Sequence, residues 1–92
     1  MQTILQILRL PAVKAEAGYS RSTIYLRITQ GLWPKPVRLG ARAVGWPAGE
    51  VAAMNAARIA AKSDEEIRAL VMKLQAARSS AAHAVPPGFG ND

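Results

Sequence analysis

Between Pro11 and Gly31 the chain reads PAVKAEAGYSRSTIYLRITQG, and the glycine at position 18 divides that stretch so that few folds remain open. Pro11 suits the first turn of a helix, where the amide it lacks would have no partner. Ala, Lys and Glu then favour the helix, and Gly18 stands where a left-handed residue ends one. Tyr19 and Ser20 complete a turn, Ser20 can cap a second helix, and Gly31 stops it. Two short helices joined by about three residues outline a helix-turn-helix.

The next stretch, LWPKPVRLGARAVGWP, has a different period. Pro34 and Pro36 forbid helix and confine any strand to an edge, while Val37/Leu39 and Val44/Trp46 alternate on either side of Gly40. This predicts a β-hairpin, strands about 36–40 and 43–46, with Gly40 supplying the permissive backbone at the turn. A basic hairpin directly after a helix-turn-helix has the layout of a wing. Near the start, Leu8 and Leu10 alternate with Ile7 and Arg9, which suits a short strand.

Pro47 opens a third helix, PAGEVAAMNAARIAAK, in which Val51, Met54 and Arg58 share a face. SDEE then forms a capping box: Ser63 can accept from the amide of Glu66, and Glu66 can reach back to the amide of Ser63. The fourth helix places Ile67, Leu70, Val71 and Leu74 on one face, with acids in its first turn and Lys73 and Arg78 near its end, in agreement with the helix dipole. The expected fold is mainly α with a small β-hairpin: a winged helix-turn-helix over 1–61 and a C-terminal amphipathic helix over 62–79 that completes the core or self-associates. A flexible tail is expected over 80–92.

Charge is distributed unevenly along these elements. Residues 1–46 hold seven Lys and Arg against Glu16 alone, whereas residues 47–92 hold five of each sign. All of the net +6 therefore belongs to the helix-turn-helix and hairpin. A concentrated positive field attracts polyanions, and a duplex releases bound counterions when Lys and Arg replace them at its phosphates.

The second helix has the division of labour that a duplex requires. At 3.6 residues per turn Ile24 and Ile28 stack on one side, while Ser22, Leu26, Thr29 and Gln30 point away from it. Arg21, Thr23, Tyr25 and Arg27 occupy the first turn or the flanks. The hydroxyls of Ser22 and Thr23 can hold phosphate oxygens, and Arg21 can bond a phosphate or guanine O6/N7. From the wing, Lys35, Arg38 and Arg42 are expected to hold the backbone or the minor groove.

Other classes fit less well. The only histidine, His83, falls in the expected tail, and Glu65 and Glu66 are engaged by capping, so no acid–base pair or metal cluster converges and no enzyme is expected. With no cysteine there is no disulfide and no thiolate site, which fits a reducing cytoplasm. The start, MQTILQILRLPAV, lacks a basic n-region and reaches Arg9 before an apolar segment of signal-peptide length accumulates, so no export signal is expected. A peripheral membrane module would gather its cations along one amphipathic helix, not over a turn, a helix and a hairpin. A protein-interaction adaptor would use Leu26 and the fourth helix instead of the basic residues. Trp33 and Trp46 flank strand ends among prolines and are expected as core anchors bracing the wing.

The stretches RLP, GYSRSTIY, GLWPKPVRLG and AVGWPAGEV, in order and almost without gaps over residues 9–51, resemble the AlpA-type regulators of prophages and integrative elements. These are small winged helix-turn-helix proteins related to excisionases, with a MerR-like DNA-binding fold. The resemblance implies a cofactor-free DNA binder of a mobile element, acting as an excisionase or recombination directionality factor with associated transcriptional control. The alternative is a plain transcriptional regulator. Double-stranded DNA at an attachment site or promoter is the implied partner, with an integrase and further copies of the chain along DNA as additional candidates. The family has a basic residue directly after the Tyr and a Leu after that, whereas here Leu26 precedes Arg27. Leu26 is thereby expected on the outward face, within reach of a thymine methyl or a neighbouring protein, and Arg27 at a phosphate from the flank.

Overall fold

The computed structural model describes residues 6–79. The expected tail with His83 lies outside them. In chain order the elements are β1 (Ile7–Leu8), α1 (Leu10–Ala17), α2 (Arg21–Thr29), β2 (Val37–Arg38), β3 (Val44–Pro47), α3 (Ala48–Ile59) and α4 (Asp64–Ala76). The protein is mainly helical with a small antiparallel sheet, a winged helix-turn-helix.

Local chemistry sets the helix ends. Pro11 sits in the first turn of α1, and Gly18 closes that helix at φ +73°, its amide donating to the Lys14 carbonyl at 2.9 Å. A side chain at that φ is strained, so the glycine is used for its backbone. Ser20 caps α2: its Oγ accepts from the Thr23 amide at 3.2 Å. Gly31, at φ +77°, ends the second helix, where its amide donates to the Ile28 carbonyl and that of Leu32 to the Arg27 carbonyl. The capping box of α4 is complete, with Ser63 and Glu66 each bonding the other's amide.

The sheet is larger in strand number and shorter in strand length than the hairpin expected from the sequence. β3 is central, pairing with β2 through Val37↔Gly45 and Arg38↔Val44, and with β1 through Ile7↔Pro47 and Leu8↔Trp46. The strand at the start of the chain therefore braces the wing from its far edge. Leu10, expected on that strand, belongs instead to α1. Pairing between β2 and β3 extends over only two residue pairs because the loop closes early, the Leu39 amide donating to the Ala43 carbonyl at 2.8 Å. Gly40 lies in the turn as expected, at a φ that is not left-handed; the positive-φ glycines among the described residues are Gly18 and Gly31. Pro47 ends β3 and stands before α3 as its N-cap, one residue earlier than expected.

Helices and sheet share one core. Trp46, Ile24 and Val13 are wholly buried, joined by Trp33, Val51, Met54 and the α4 residues Ile67 and Val71. Trp46 Nε1 donates to the Pro34 carbonyl at 2.8 Å, which ties β3 to the segment between α2 and the wing. Both tryptophans are core anchors, as their setting among prolines predicts. Each meets a tyrosine edge-on, Trp33 with Tyr19 at 5.8 Å and Trp46 with Tyr25 at 6.4 Å between centroids.

Side chains of α3 and α4 also satisfy backbone at the ends of the first two helices. Asn55 Nδ2 donates to the Glu16 carbonyl at 3.0 Å and Arg58 Nη1 to the Ala17 carbonyl at 2.8 Å, while Arg68 Nε donates to the Gln30 carbonyl at 2.8 Å. These bonds fix the pose of the helix-turn-helix.

Candidate nucleic-acid interface

The four arginines Arg9, Arg21, Arg38 and Arg42 line one open groove of about 550 Å³ between the start of α1, the start of α2 and the wing, together with Tyr25 and Pro36. Arg9 precedes α1 and donates through Nε to the Val44 carbonyl at 3.1 Å, which holds its guanidinium against β3. Arg21 lies over the Tyr25 ring at 5.2 Å, and that ring is itself braced edge-on by buried Trp46. Arg38 and Arg42 are exposed on the wing. Among the described residues the one salt bridge is Arg78–Glu50, so none of these four cations is neutralised by a carboxylate at contact distance. Four like charges gathered around one groove raise a potential that an external polyanion relieves.

Along α2 the exposed face is the one expected. Ser22 and Thr29 are exposed, Leu26 is 56% exposed, and Ile24 is fully buried with Ile28 packed against the core. Thr23 is half-buried, and its hydroxyl accepts from Ser20 Oγ at 2.9 Å, so it serves the cap while retaining its own proton to donate. The Thr29 hydroxyl donates back to the Leu26 carbonyl at 2.6 Å. Leu26 thus stands among short polar side chains at the middle of the outward face.

Of the nine residues expected at the interface, Arg21, Tyr25, Arg38 and Arg42 converge on the groove, and Ser22, Thr23 and Leu26 continue it along α2. Arg27 and Lys35 stand apart. Arg27 lies over the Tyr19 ring at 5.3 Å, in a second depression that it shares with Arg58 and Lys62. Lys35 sits at the root of the wing, its amide donating to Gln75 Oε1 at 2.8 Å and its carbonyl accepting from Arg78 Nη2 at 2.7 Å. Sequence reasoning missed Arg9, although it begins the RLP stretch, because the alternation around it marked it as part of a short strand distant from the helix-turn-helix and the wing. Arg78 was read as a partner of the helix dipole, yet it lies beyond α4 and pairs with buried Glu50.

Among the described residues no group of three or more His, Asp or Glu side chains is placed to hold a metal ion. No helix of the structure is long and apolar enough to cross a membrane.

Residues 6–58 match the family model described as "Prophage CP4-57 regulatory protein (AlpA)". The chain is also 46% identical over 57 residues to "Uncharacterized protein ORF88" of Enterobacteria phage P4, a match spanning 62% of this chain and 65% of that relative's length. No solved structure matches the chain. The family match takes in β1 through α3 and ends at Arg58, so α4 lies beyond it.

Proposed function

Because the chain belongs to the AlpA family of prophage regulatory proteins, we propose that it is a sequence-specific DNA-binding regulator of a mobile genetic element. It seats α2 in the major groove and holds the adjoining backbone with the β2–β3 wing. The observation that carries this reading is the convergence of Arg9, Arg21, Arg38 and Arg42 on one open groove beside the polar face of α2. With Arg9, Arg38 and Arg42 on phosphates, the groove contributes about −2.7 to the slope of log K against log salt on a duplex, so binding weakens steeply as salt rises. Arg21 and Leu26 address base edges, while Ser22, Thr23, Arg38 and Arg42 position the helix on phosphates. Tyr25 acts through its ring, which supports the Arg21 guanidinium.

Within that reading the protein acts as an excisionase, a recombination directionality factor that bends attachment-site DNA for an integrase and also controls transcription. The winged helix-turn-helix resembling excisionases supports this, as does a basic surface reaching from the start of α1 to the wing, which suits wrapping a bent duplex. The description of the family as regulatory favours a second reading, a plain transcriptional regulator of element genes.

Footprinting of the purified protein across the DNA of its own element, at physiological salt, separates the two. Adjacent footprints beside an integration junction, with a bend detected by gel mobility, support the excisionase. Isolated footprints over promoters, with none at a junction, support the plain regulator. Protection that is uniform and independent of sequence would overturn both.

A further inference from the structure

We propose that the corner between α3 and α4 is a second phosphate clamp, in which Arg58 and Lys62 join Arg27 to hold the DNA strand on the side of α2 opposite the wing. The inference rests on the reading of α2 as the groove-binding helix. Arg27, Arg58 and Lys62 line one open depression of about 330 Å³ with Tyr19, and Asp64 is the one carboxylate that lines it with them. Among the described residues no carboxylate lies within salt-bridge distance of any of the three cations.

Two of the cations are held in place. The Arg58 guanidinium lies 4.4 Å from the centre of the Tyr19 ring and donates through Nη1 to the Ala17 carbonyl, and Arg27 approaches the same ring at 5.3 Å. Stacking two like-charged groups on one ring is unfavourable by itself, and an anion between them relieves the repulsion. Lys62 follows Ala61, whose φ of +59° turns the chain sharply out of α3, and its amide donates to the Ala57 carbonyl at 3.0 Å. Its side chain is exposed at the edge of the depression.

The placement around α2 decides which phosphates are in reach. Tyr25 borders the wing groove and Arg27 the corner, two residues on and about 200° around the helix. The exposed stripe of Ser22, Leu26 and Thr29 lies between them. An α-helix with its side chains is about 10–12 Å across and the major groove about 12 Å wide, so a helix seated there has one phosphate backbone along each flank. The wing arginines meet one strand, and the corner meets the other.

The test is the salt dependence of binding to a short fluorescent duplex of mixed sequence, read by anisotropy, for the wild-type chain, Lys62→Gln, Lys62→Arg and Arg42→Ala. The Lys62 side chain makes no hydrogen bond among the described residues, so Lys62→Gln is expected to keep the wild-type melting temperature. The proposal expects Lys62→Gln to reduce the slope of log K against log salt by about 0.9, and Lys62→Arg to restore it. An unchanged slope in Lys62→Gln alongside a reduced one in Arg42→Ala would overturn the corner clamp and leave the DNA-binding reading intact. A flat salt dependence in the wild type would remove that reading and the clamp together. A second, differently coloured duplex in the same assay identifies the source of the phosphate. Loss of bridging between duplexes in Lys62→Gln, with the single-duplex slope unchanged, would overturn the assignment to the opposite strand.

Discussion

Arg78 grips Glu50 through two nitrogens, Nε 2.8 Å from Oε2 and Nη2 2.7 Å from Oε1, and the same Nη2 donates to the Lys35 carbonyl at 2.7 Å. One guanidinium thus joins the start of α3, the segment after α4 and the root of the wing. Glu50 is only 7% exposed, so removing its partner leaves a carboxylate buried without compensation. Arg78→Ala is expected to lower unfolding free energy by about 3 kcal/mol in urea titration. The double variant Arg78→Met with Glu50→Gln should recover part of that loss, because no buried carboxylate is then left without its partner.

Gly45 lies at the centre of β3 with strands on both sides. A Cβ there would come 2.9 Å from the Leu8 carbonyl oxygen and nearer still to the Ile7 side chain. Gly45→Ala should therefore cost about 1–3 kcal/mol, through forced separation of β1 from β3. Thermal unfolding checks it, with Gly40→Ala as a near-neutral control, since a Cβ at that position meets nothing within 4 Å.

Leu26 is the one large apolar side chain on the outward face of α2. If it packs on a thymine methyl, replacing that thymine by uracil should weaken wild-type binding about fourfold, the equivalent of about 0.8 kcal/mol for one buried methyl. The same replacement should leave Leu26→Ala unaffected. Equal losses in both proteins would remove Leu26 from base recognition.

Arg42 on the wing and Arg21 on α2 should separate by salt dependence and by sequence. Arg42→Ala is expected to weaken binding similarly on all sequences and to flatten the salt slope by about 0.9. Arg21→Ala should in addition relax preference at one base pair, at about 1–3 kcal/mol of discrimination. Titrations at several salt concentrations read the slope and selection from a randomised pool reads the preference, and a loss of affinity with no relaxation makes Arg21 a phosphate contact.

The Glu66 carboxyl is held below its ordinary pKa of 4.5, first by the hydrogen bond from the Ser63 amide and then by its interaction with the Ser63 side chain. A carboxylate whose folded pKa is depressed stabilises the fold above its unfolded pKa and loses that contribution as pH falls through the folded one. The stability difference between wild type and Glu66→Gln should thus be greatest near neutral pH and shrink as pH falls below about 4.5. Urea titrations across that range read it directly.

Elements that depend on neighbours three or four residues away were legible in the sequence. Gly18 ending α1, Ser20 capping α2, Gly31 ending it and the Ser63/Glu66 box of α4 are all backbone or cap interactions within one turn. The polar outward face of α2 was equally readable, because helical period alone decides which side chains share a face. Four of the residues that line the candidate groove were legible as well, Arg21 and Tyr25 from the second helix and Arg38 and Arg42 from the basic hairpin.

What only the tertiary structure decided are relationships between residues far apart in the chain. No local pattern pairs Leu8 with Trp46, brings Arg9 against Val44 or sends Arg78 to Glu50. Helical period places Arg27 on a flank of α2, but only the packing of Tyr19 and α3 beside that flank determines that it meets Arg58 and not the wing. Sequence specified the local conformations through short-range hydrogen bonds and sterics. Burial of a shared core around Trp33, Trp46 and Ile24 then chose which of those pieces became neighbours, and with them how its charges gather.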